Sequence, residues 1–576
     1  MRRIRVLLST AMMGLSAICP CGPGLTHYVA AGNTGAIAPY TNRATAAAVL
    51  QDAVDVAAPG ALILVDDGVY DTGGRVISGP TGNRVAITNP VTVRSLNGPE
   101  RTMIVGGGSL VSNPVRCVCL ASNAVLSGFT LTNGHTAAAG DAFSDMSGGG
   151  AWCGPDVIIS NCHFIGNVAY LHGGAAYGGS LRSCRLTGNR AEAGSGGGAY
   201  GSTLCNGAVY WNSAHTGGGL SGGTAIHCTV VGNVAFDMLL PHVGVEEGRG
   251  GGTLNSVLAN DIVYFNAATL DPNVAGGSGS TSNTCTTPDP GGIGNITADP
   301  LLARNFYPTP DSPCIDAAAA PGPARDARGI VRPIDGNHDG VARPDMGAFE
   351  YRPFRSSDVD NDGVSDIACY HPPTGTWFAF GSVAGFWQTQ FGFAGTYPVT
   401  GEFDGDGLTD IGCYNPSAGQ WYLYQSADGF KSTQFGFRGT LPVAADFDRD
   451  GLTDIGCYDP PSGRWYVFQS TAGFMSTQFG FAGTWPVTGD FDDDGAADIG
   501  CYDPGTGRWY FFTSGGGFST TQFGFAGTFP ATGDYDGDGR SDIACYHPPT
   551  GQWYMFRSLA GFGGTQFGFP GTLPVH

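Results

Sequence analysis

At 576 residues the chain is too long for one ordinary core, so two or more domains are expected. Charged residues make up 13% and glycines number 95, a balance that argues against disorder and for short strands joined by tight turns. The formal net charge of -21 argues against nucleic acid or an anionic membrane as partner and for divalent cations.

Taken in chain order, "MRRIRVLLSTAMMGLSAICPCGPG" (1–24) has basic residues, an apolar run from Val6 to Ile18, then small residues. This reads as a secretory signal, too short for a spanning helix, with cleavage expected between Ala17 and Gly24. Cys19 invites a lipoprotein reading, but Ile18 is bulky where such signals want a small residue. No later stretch is long and apolar enough to span a bilayer, so the mature chain is expected to be exported. The amphipathic pattern of Val49, Leu50, Ala53 and Val54 predicts a helix over Thr45–Ala58, a cap on the N-terminal end of a repeat array.

From about 95 to 300 a first repeat runs at 21–23 residues, with one longer gap: "NCHFIGNVA", "SCRLTGNRA", "NGAVYWNSA", "HCTVVGNVA" and "NDIVYFNAA". Each is a short strand ending on Asn167, Asn189, Asn212, Asn233 or Asn266, with glycine-rich turns between. About 22 residues per coil suits a right-handed parallel β-helix over 25–298, its asparagines forming a ladder of side-chain amides. Cys162, Cys184 and Cys228 recur in register and are expected to stack inside the coils as small hydrophobes. Cys285 with Cys314 is a candidate disulfide.

Residues 299–353 carry "DPLL", "DSPCIDA", "RPIDG" and "PDMGAFEY". These stretches resemble the choice-of-anchor Q module, which implies a bacterial surface protein with a parallel β-helix ahead of the module. That family's usual C-terminal anchor is missing, so a processed anchor is not expected. The resemblance places the protein outside the cell or on the cell surface of a bacterium.

A second repeat fills 354–576 with a period of 44, kept by Trp377, Trp421, Trp465, Trp509 and Trp553, by Cys369, Cys413, Cys457, Cys501 and Cys545, and by "TQFGF". Four strands per unit predict a propeller blade. The unit resembles FG-GAP and VCBS repeats, in its aspartate-rich loop and its Phe-Gly pair. The strand "GTxPVT" precedes four of the five units, and the chain ends on a spare copy, "GTLPVH". A five-bladed ring closed by Leu573–His576 is expected. The fold class is therefore all-β, a right-handed parallel β-helix followed by a five-bladed β-propeller.

Each unit carries D-x-D-x-D-G-x-x-D. The residues are Asp358, Asp360, Asp362 and Asp366; Glu402, Asp404, Asp406 and Asp410; Asp446, Asp448, Asp450 and Asp454; Asp490, Asp492, Asp494 and Asp498; and Asp534, Asp536, Asp538 and Asp542. Turn capping explains one or two such carboxylates per loop, not four. Positions 1, 3 and 5 are expected to converge, with position 9 and a backbone carbonyl completing an oxygen shell that suits Ca2+. A weaker candidate site is Asp335, Asn337, Asp339 and Asp345.

No nucleophile triad, phosphate loop or Cys/His metal spacing is legible, and the acids of the solenoid are scattered without register. His163, His172, His215 and His227 read as turn or core residues. The preferred reading is a noncatalytic, calcium-stabilised protein engaged in adhesion, binding a glycan or surface protein through the propeller. Tyr422, Tyr466, Tyr510 and Tyr554 are candidates for stacking on sugars, against a preferred plainer reading as packing residues. The alternative is a polysaccharide lyase or glycoside hydrolase with its site on the β-helix.

Overall fold

The computed structural model describes residues 25–240, 244–276, 280–303, 306–309, 311–319, 321–337, 341–351, 357–360, 364–381, 385–492, 496–513, 515–538 and 540–576. The signal segment with Cys19, and the acids Asp339, Asp362 and Asp494, lie outside them. The chain divides into two compact units, residues 1–203 with 212–221, and residues 204–211 with 222–576.

The first unit is a parallel solenoid. Thr26–Val29, Leu62–Val65, Thr92–Ser95, Val125–Ser127, Ile158–Ser160 and Ser180–Arg182 each run parallel to the next. A second sheet stacks Gly68–Tyr70, Thr102–Val105, Thr130–Thr132, His163–Ile165 and Arg185–Thr187. A third runs from Gly82–Ile87 through Ser112–Leu120, Ala151–Cys153, Ala176–Tyr177 and Ala199–Tyr200 to Leu220–Ser221. Side chains such as Ile63, Val93, Leu126, Ile159, Leu181, Phe164 and Leu186 are fully buried between them. The helix is shorter than its periodicity predicts, Leu50–Val56. Thr45 instead ends a separate 3-10 turn over Arg43–Thr45, capped by the Asn42 side chain, and Ala47 bridges to Val29. Pro59 disfavours helical backbone at Ala58.

The expected asparagine ladder is present. In the first unit the Asn189 Oδ1 accepts from the Asn167 backbone N–H (3.0 Å) and Nδ2 (2.9 Å), and the Asn212 Oδ1 does the same for Asn189 (2.9 Å each). In the second unit Asn266 serves Asn233, and Asn273, which the repeat does not mark, serves Asn266. Asn167, Asn189, Asn212 and Asn233 are fully buried, so each ladder bond satisfies groups that water cannot reach.

The second unit holds further coils, with Ala208–Tyr210, Thr229–Val231, Ile262–Tyr264 and Cys285–Thr286 in parallel register. Residues 299–351 fold as irregular chain with isolated bridges, packed on those coils. Cys285 and Cys314 are both free, buried in one cluster with Ile262, Ala318 and Met346. The ion pair between Arg332 and Glu350 (2.9 Å) is wholly buried, and Arg332 also donates to His227 Nδ1 (2.8 Å). Burial and the nearby Arg332 charge push the His227 pKa down to about 3, so His227 is a neutral core residue.

Residues 357–576 form five antiparallel four-stranded sheets. Four blades take their strands in chain order. The first blade takes its innermost strand from Leu573–Pro574, which pairs with Ile367–His371. The ring is closed as expected. Each blade core repeats one arrangement. The five repeat tryptophans are fully buried, and each indole N–H donates to the carbonyl of Phe391, Phe435, Phe479, Phe523 or Phe567 (2.6–2.9 Å). Beside them Tyr370, Tyr414, Tyr458, Tyr502 and Tyr546 bond their hydroxyls to Thr396, Thr440, Thr484, Thr528 and Thr572. The glycine between the phenylalanines of "TQFGF" is required by this packing. At Gly480 the backbone is left-handed (φ +137°), and a Cβ would lie 2.3 Å from the Tyr458 hydroxyl. The innermost strands carry Pro398, Pro442, Pro486, Pro530 and Pro574 at one equivalent position, around an axial cavity of about 70 Å³.

Candidate metal centres of the propeller

The aspartate-rich loop leaves the innermost strand of each blade and delivers the chain to the second strand. Its carboxylates converge, at three of the four positions expected. In every blade the acids at positions 1, 3 and 9 each place a carboxylate oxygen within 4.8 Å of the other two. The triads are Asp358, Asp360 and Asp366; Glu402, Asp404 and Asp410; Asp446, Asp448 and Asp454; Asp490, Asp492 and Asp498; and Asp534, Asp536 and Asp542. Position 5 lies outside the triad in each loop where it is described. Asp406, Asp450 and Asp538 accept instead from the hydroxyls of Ser426, Ser470 and Ser558, in the hairpin between the third and fourth strands. They also accept from the backbone N–H two residues on, at Leu408, Leu452 and Arg540 (2.9–3.0 Å). Those bonds hold position 5 to the hairpin.

Backbone N–H groups aim the triad. Taking the third blade, Asp446 accepts from Gly451 (2.8 Å), and Asp454 from Phe447 (2.9 Å) and Ser470 (2.7 Å). Asp448 Oδ2 accepts from Thr471 (2.9 Å) and Ala472 (2.7 Å). The other oxygen, Asp448 Oδ1, is buried and has no hydrogen-bond partner. Asp492 Oδ1, Asp536 Oδ1 and Glu402 Oε2 share that state. Buried carboxylate oxygens without donors, three acids to a point, fit a cation with oxygen ligands. The same crowding shows in the proton equilibria. Burial, with neighbouring carboxylates adding, pushes Glu402 up to about 8 and Asp446 to about 7, and Asp410, Asp454 and Asp542 to about 6.

Successive loops are also tied to one another. The Thr453 N–H donates to the Glu402 carbonyl (2.6 Å), and its hydroxyl accepts from the Glu402 N–H (2.8 Å). Ser541 does the same for Asp490, and Ser365 of the first blade for Asp534 of the fifth. Ala497 keeps only the backbone bond, to the Asp446 carbonyl (3.3 Å).

The remaining sequence candidates fall elsewhere. Asp345 is 1% exposed, and its carboxylate accepts from the Asp316 N–H (2.7 Å) and the Tyr351 N–H. The turn at Gly336 and Asn337 is held by Asp316, which the spacing does not mark, accepting from both N–H groups (2.9 and 3.0 Å). Asp335, Asn337 and Asp345 form no carboxylate cluster among the described residues. Tyr422, Tyr466, Tyr510 and Tyr554 are half-buried, each in edge contact with Phe393, Phe437, Phe481 or Phe525 of the preceding blade (5.5–5.8 Å between centroids). The aromatic rings that face water are others. Phe380 with Phe386, Tyr424 with Phe430, Phe468 with Phe474, Phe512 with Phe518, and Phe556 with Phe562 are cross-strand pairs, 51–67% exposed. Their alternation in the outer strands was visible in the sequence, but not which face lacked a neighbour.

A propeller of four-stranded blades, each with an acidic loop of this form, is thus what the C-terminal part of the chain is. The FG-GAP-like repeat model matches it at residues 402–457 and 490–545. No curated protein matches the chain in sequence. Similar solved structures include a streptogramin B lyase (9% identity, 36% of this chain, 70% of that one, TM-score 0.25). They also include an inactive virginiamycin B lyase from Staphylococcus aureus with quinupristin (9%, 36% and 72%, TM-score 0.24). The Dettilon tailspike protein covers more of the chain (11%, 96% and 93%, TM-score 0.25). At such scores these likenesses carry no weight for function.

Proposed function

We propose that this is an exported, noncatalytic binding protein of the bacterial surface or extracellular matrix, acting in adhesion, whose propeller binds a glycan or a surface protein and is stabilised by Ca2+. The observation that carries the calcium reading is the fivefold recurrence of a carboxylate triad, with a buried oxygen that no protein donor serves at Glu402, Asp448, Asp492 and Asp536 in four of the loops. The acids at positions 1, 3 and 9 of each loop would hold the ion. Carboxylate donors alone, without His or Cys, suit a hard cation. Bound there, the ion supplies charge neutralisation: five ions at +2 would take the formal charge from -21 to -11. The role is structural, since each triad joins the exit of the inner strand, the start of the second strand and the outer hairpin. The FG-GAP-like match supports a binding propeller. The signal-like N-terminus and the resemblance of 299–353 to the choice-of-anchor Q module support export to the surface, with the solenoid as spacer or adhesive face. Among the described residues no helix is long and apolar enough to cross a membrane. The test is a glycan and surface-protein array probed with and without chelator, beside a melting curve in each condition. Chelator-sensitive binding is expected. Absence of binding in both conditions would overturn the binding reading, and an unchanged melting temperature would overturn the calcium reading.

A further inference from the structure

The blade junctions are alike in backbone and unlike in side chains. One position of the outermost strand is occupied by Trp387, Lys431, Met475, Ser519 and Gly563 in successive blades. Trp387 is half-buried and packs in a cluster that includes Ile411 of the next blade. Lys431 pairs with Asp428 at 2.6 Å, and Met475 is half-buried. Gly563 is overlain by Arg557, whose Nη2 would stand 2.9 Å from a Cβ at that glycine. Ser519 has neither bulk nor cover. Beside it, between blades 4 and 5, lies an open cavity of about 510 Å³. That volume is in the range of small-molecule sites.

The walls combine two kinds of group. Phe511 and the half-exposed Phe556 supply aromatic surface. Ser519, Ser541 and Arg540 supply polar atoms, Arg540 while donating from Nη2 to the Phe491 carbonyl (2.9 Å). The Ser541 hydroxyl oxygen accepts from the Asp490 N–H (3.0 Å), which leaves its O–H to donate. Aromatic surface beside interleaved donors and acceptors matches a ring with an apolar C–H face and a rim of hydroxyls. The net charge of -21 disfavours an anionic ring.

We infer that the junction of blades 4 and 5 is a carbohydrate site, one per chain, for a neutral oligosaccharide. This rests on the reading of the propeller as a binding module and narrows it from five equivalent grooves to one junction, chosen for its open cavity among the described residues. The test is calorimetry of the full chain, in calcium, against neutral tri- and tetrasaccharides of glucan, mannan, galactan and xylan, with oligouronates as the charged comparison. The expected result is binding of a neutral member with a stoichiometry of one, and none of the oligouronates. Ser519→Trp, which copies blade 1, should weaken binding by at least about tenfold with the melting temperature unchanged. Met475→Ser, which copies blade 4, should add a second site at the junction of blades 3 and 4. A stoichiometry of five, or full affinity in Ser519→Trp, would overturn the single site and leave glycan binding standing. Preference for the oligouronates would overturn the ligand class. No binding of any saccharide would overturn the site and the glycan reading together, leaving a protein ligand to the array.

Discussion

Deleting Leu573–His576 should open the propeller ring. Val575 is 1% exposed and packs on Ala368, Tyr370, Trp377 and Ala379 of the first blade. Its burial is worth about 2 kcal/mol and that of Pro574 about 1 kcal/mol. The Val575 N–H donates to the Ala368 carbonyl (3.0 Å). That bond adds about 1 kcal/mol. The loss is about 4 kcal/mol, a large share of a typical domain's stability of about 5–15 kcal/mol. For a unit of this size it corresponds to a fall in Tm of about 10 °C. The five buried tryptophans make fluorescence in a thermal or urea melt a direct reporter. Val575→Asp, which keeps the chain length, should give a fall of similar size. A truncated protein melting within about 2 °C of the full chain would refute the claim that the C-terminal strand holds the first blade.

Three further outcomes are expected. Asp448→Asn should reduce bound calcium by one ion per chain, read by metal analysis after dialysis; unchanged content would count against the triad in blade 3. Without metal, Glu402 and Asp446 have pKa values raised to about 8 and about 7, above their ordinary values near 4. The folded state then holds protons that the unfolded chain has released, so the metal-free protein should lose stability as pH rises from about 4 to about 8. The gain in Tm on adding calcium should grow over the same window, and a gain independent of pH would contradict it. Glu350→Gln leaves the buried Arg332 without its counter-charge and should cost about 3–5 kcal/mol in a urea melt; a cost under about 1 kcal/mol would show the pair to be dispensable.

Much of the architecture was legible because in a repeat each residue meets its own equivalents. The 44-residue register of Trp and Cys, the spare "GTLPVH" and the asparagines of the coils all declared neighbours one repeat away. What depended on contacts within a repeat was harder to read. Asp406, Asp450 and Asp538 look like ligands by spacing, and each also accepts from a serine about 20 residues on, which no local pattern pairs with it. Position 9, expected only to complete the shell, is a full member of the triad because the second strand starts there. Helix length was overestimated, since periodicity cannot show that Asn42 and Val29 claim Thr45 and Ala47 for other contacts. The difference among Trp387, Lys431, Met475, Ser519 and Gly563 was present in the sequence as noise within a near-identical repeat unit, and acquires meaning only once their shared position at a blade junction is known.

The five axial prolines bear on how such a ring can be assembled at all. Each innermost strand has a partner on one side only, so five strand edges face one another across the axis. A strand edge with free N–H groups is a template for any passing strand. With nearly identical blades, the wrong innermost strand would fit almost as well as the right one. Pro398, Pro442, Pro486, Pro530 and Pro574 each remove a donor from that edge. The inner edges are thereby poor partners for one another and for a second chain, and the near-identical repeats are kept from zipping together out of order while the ring forms.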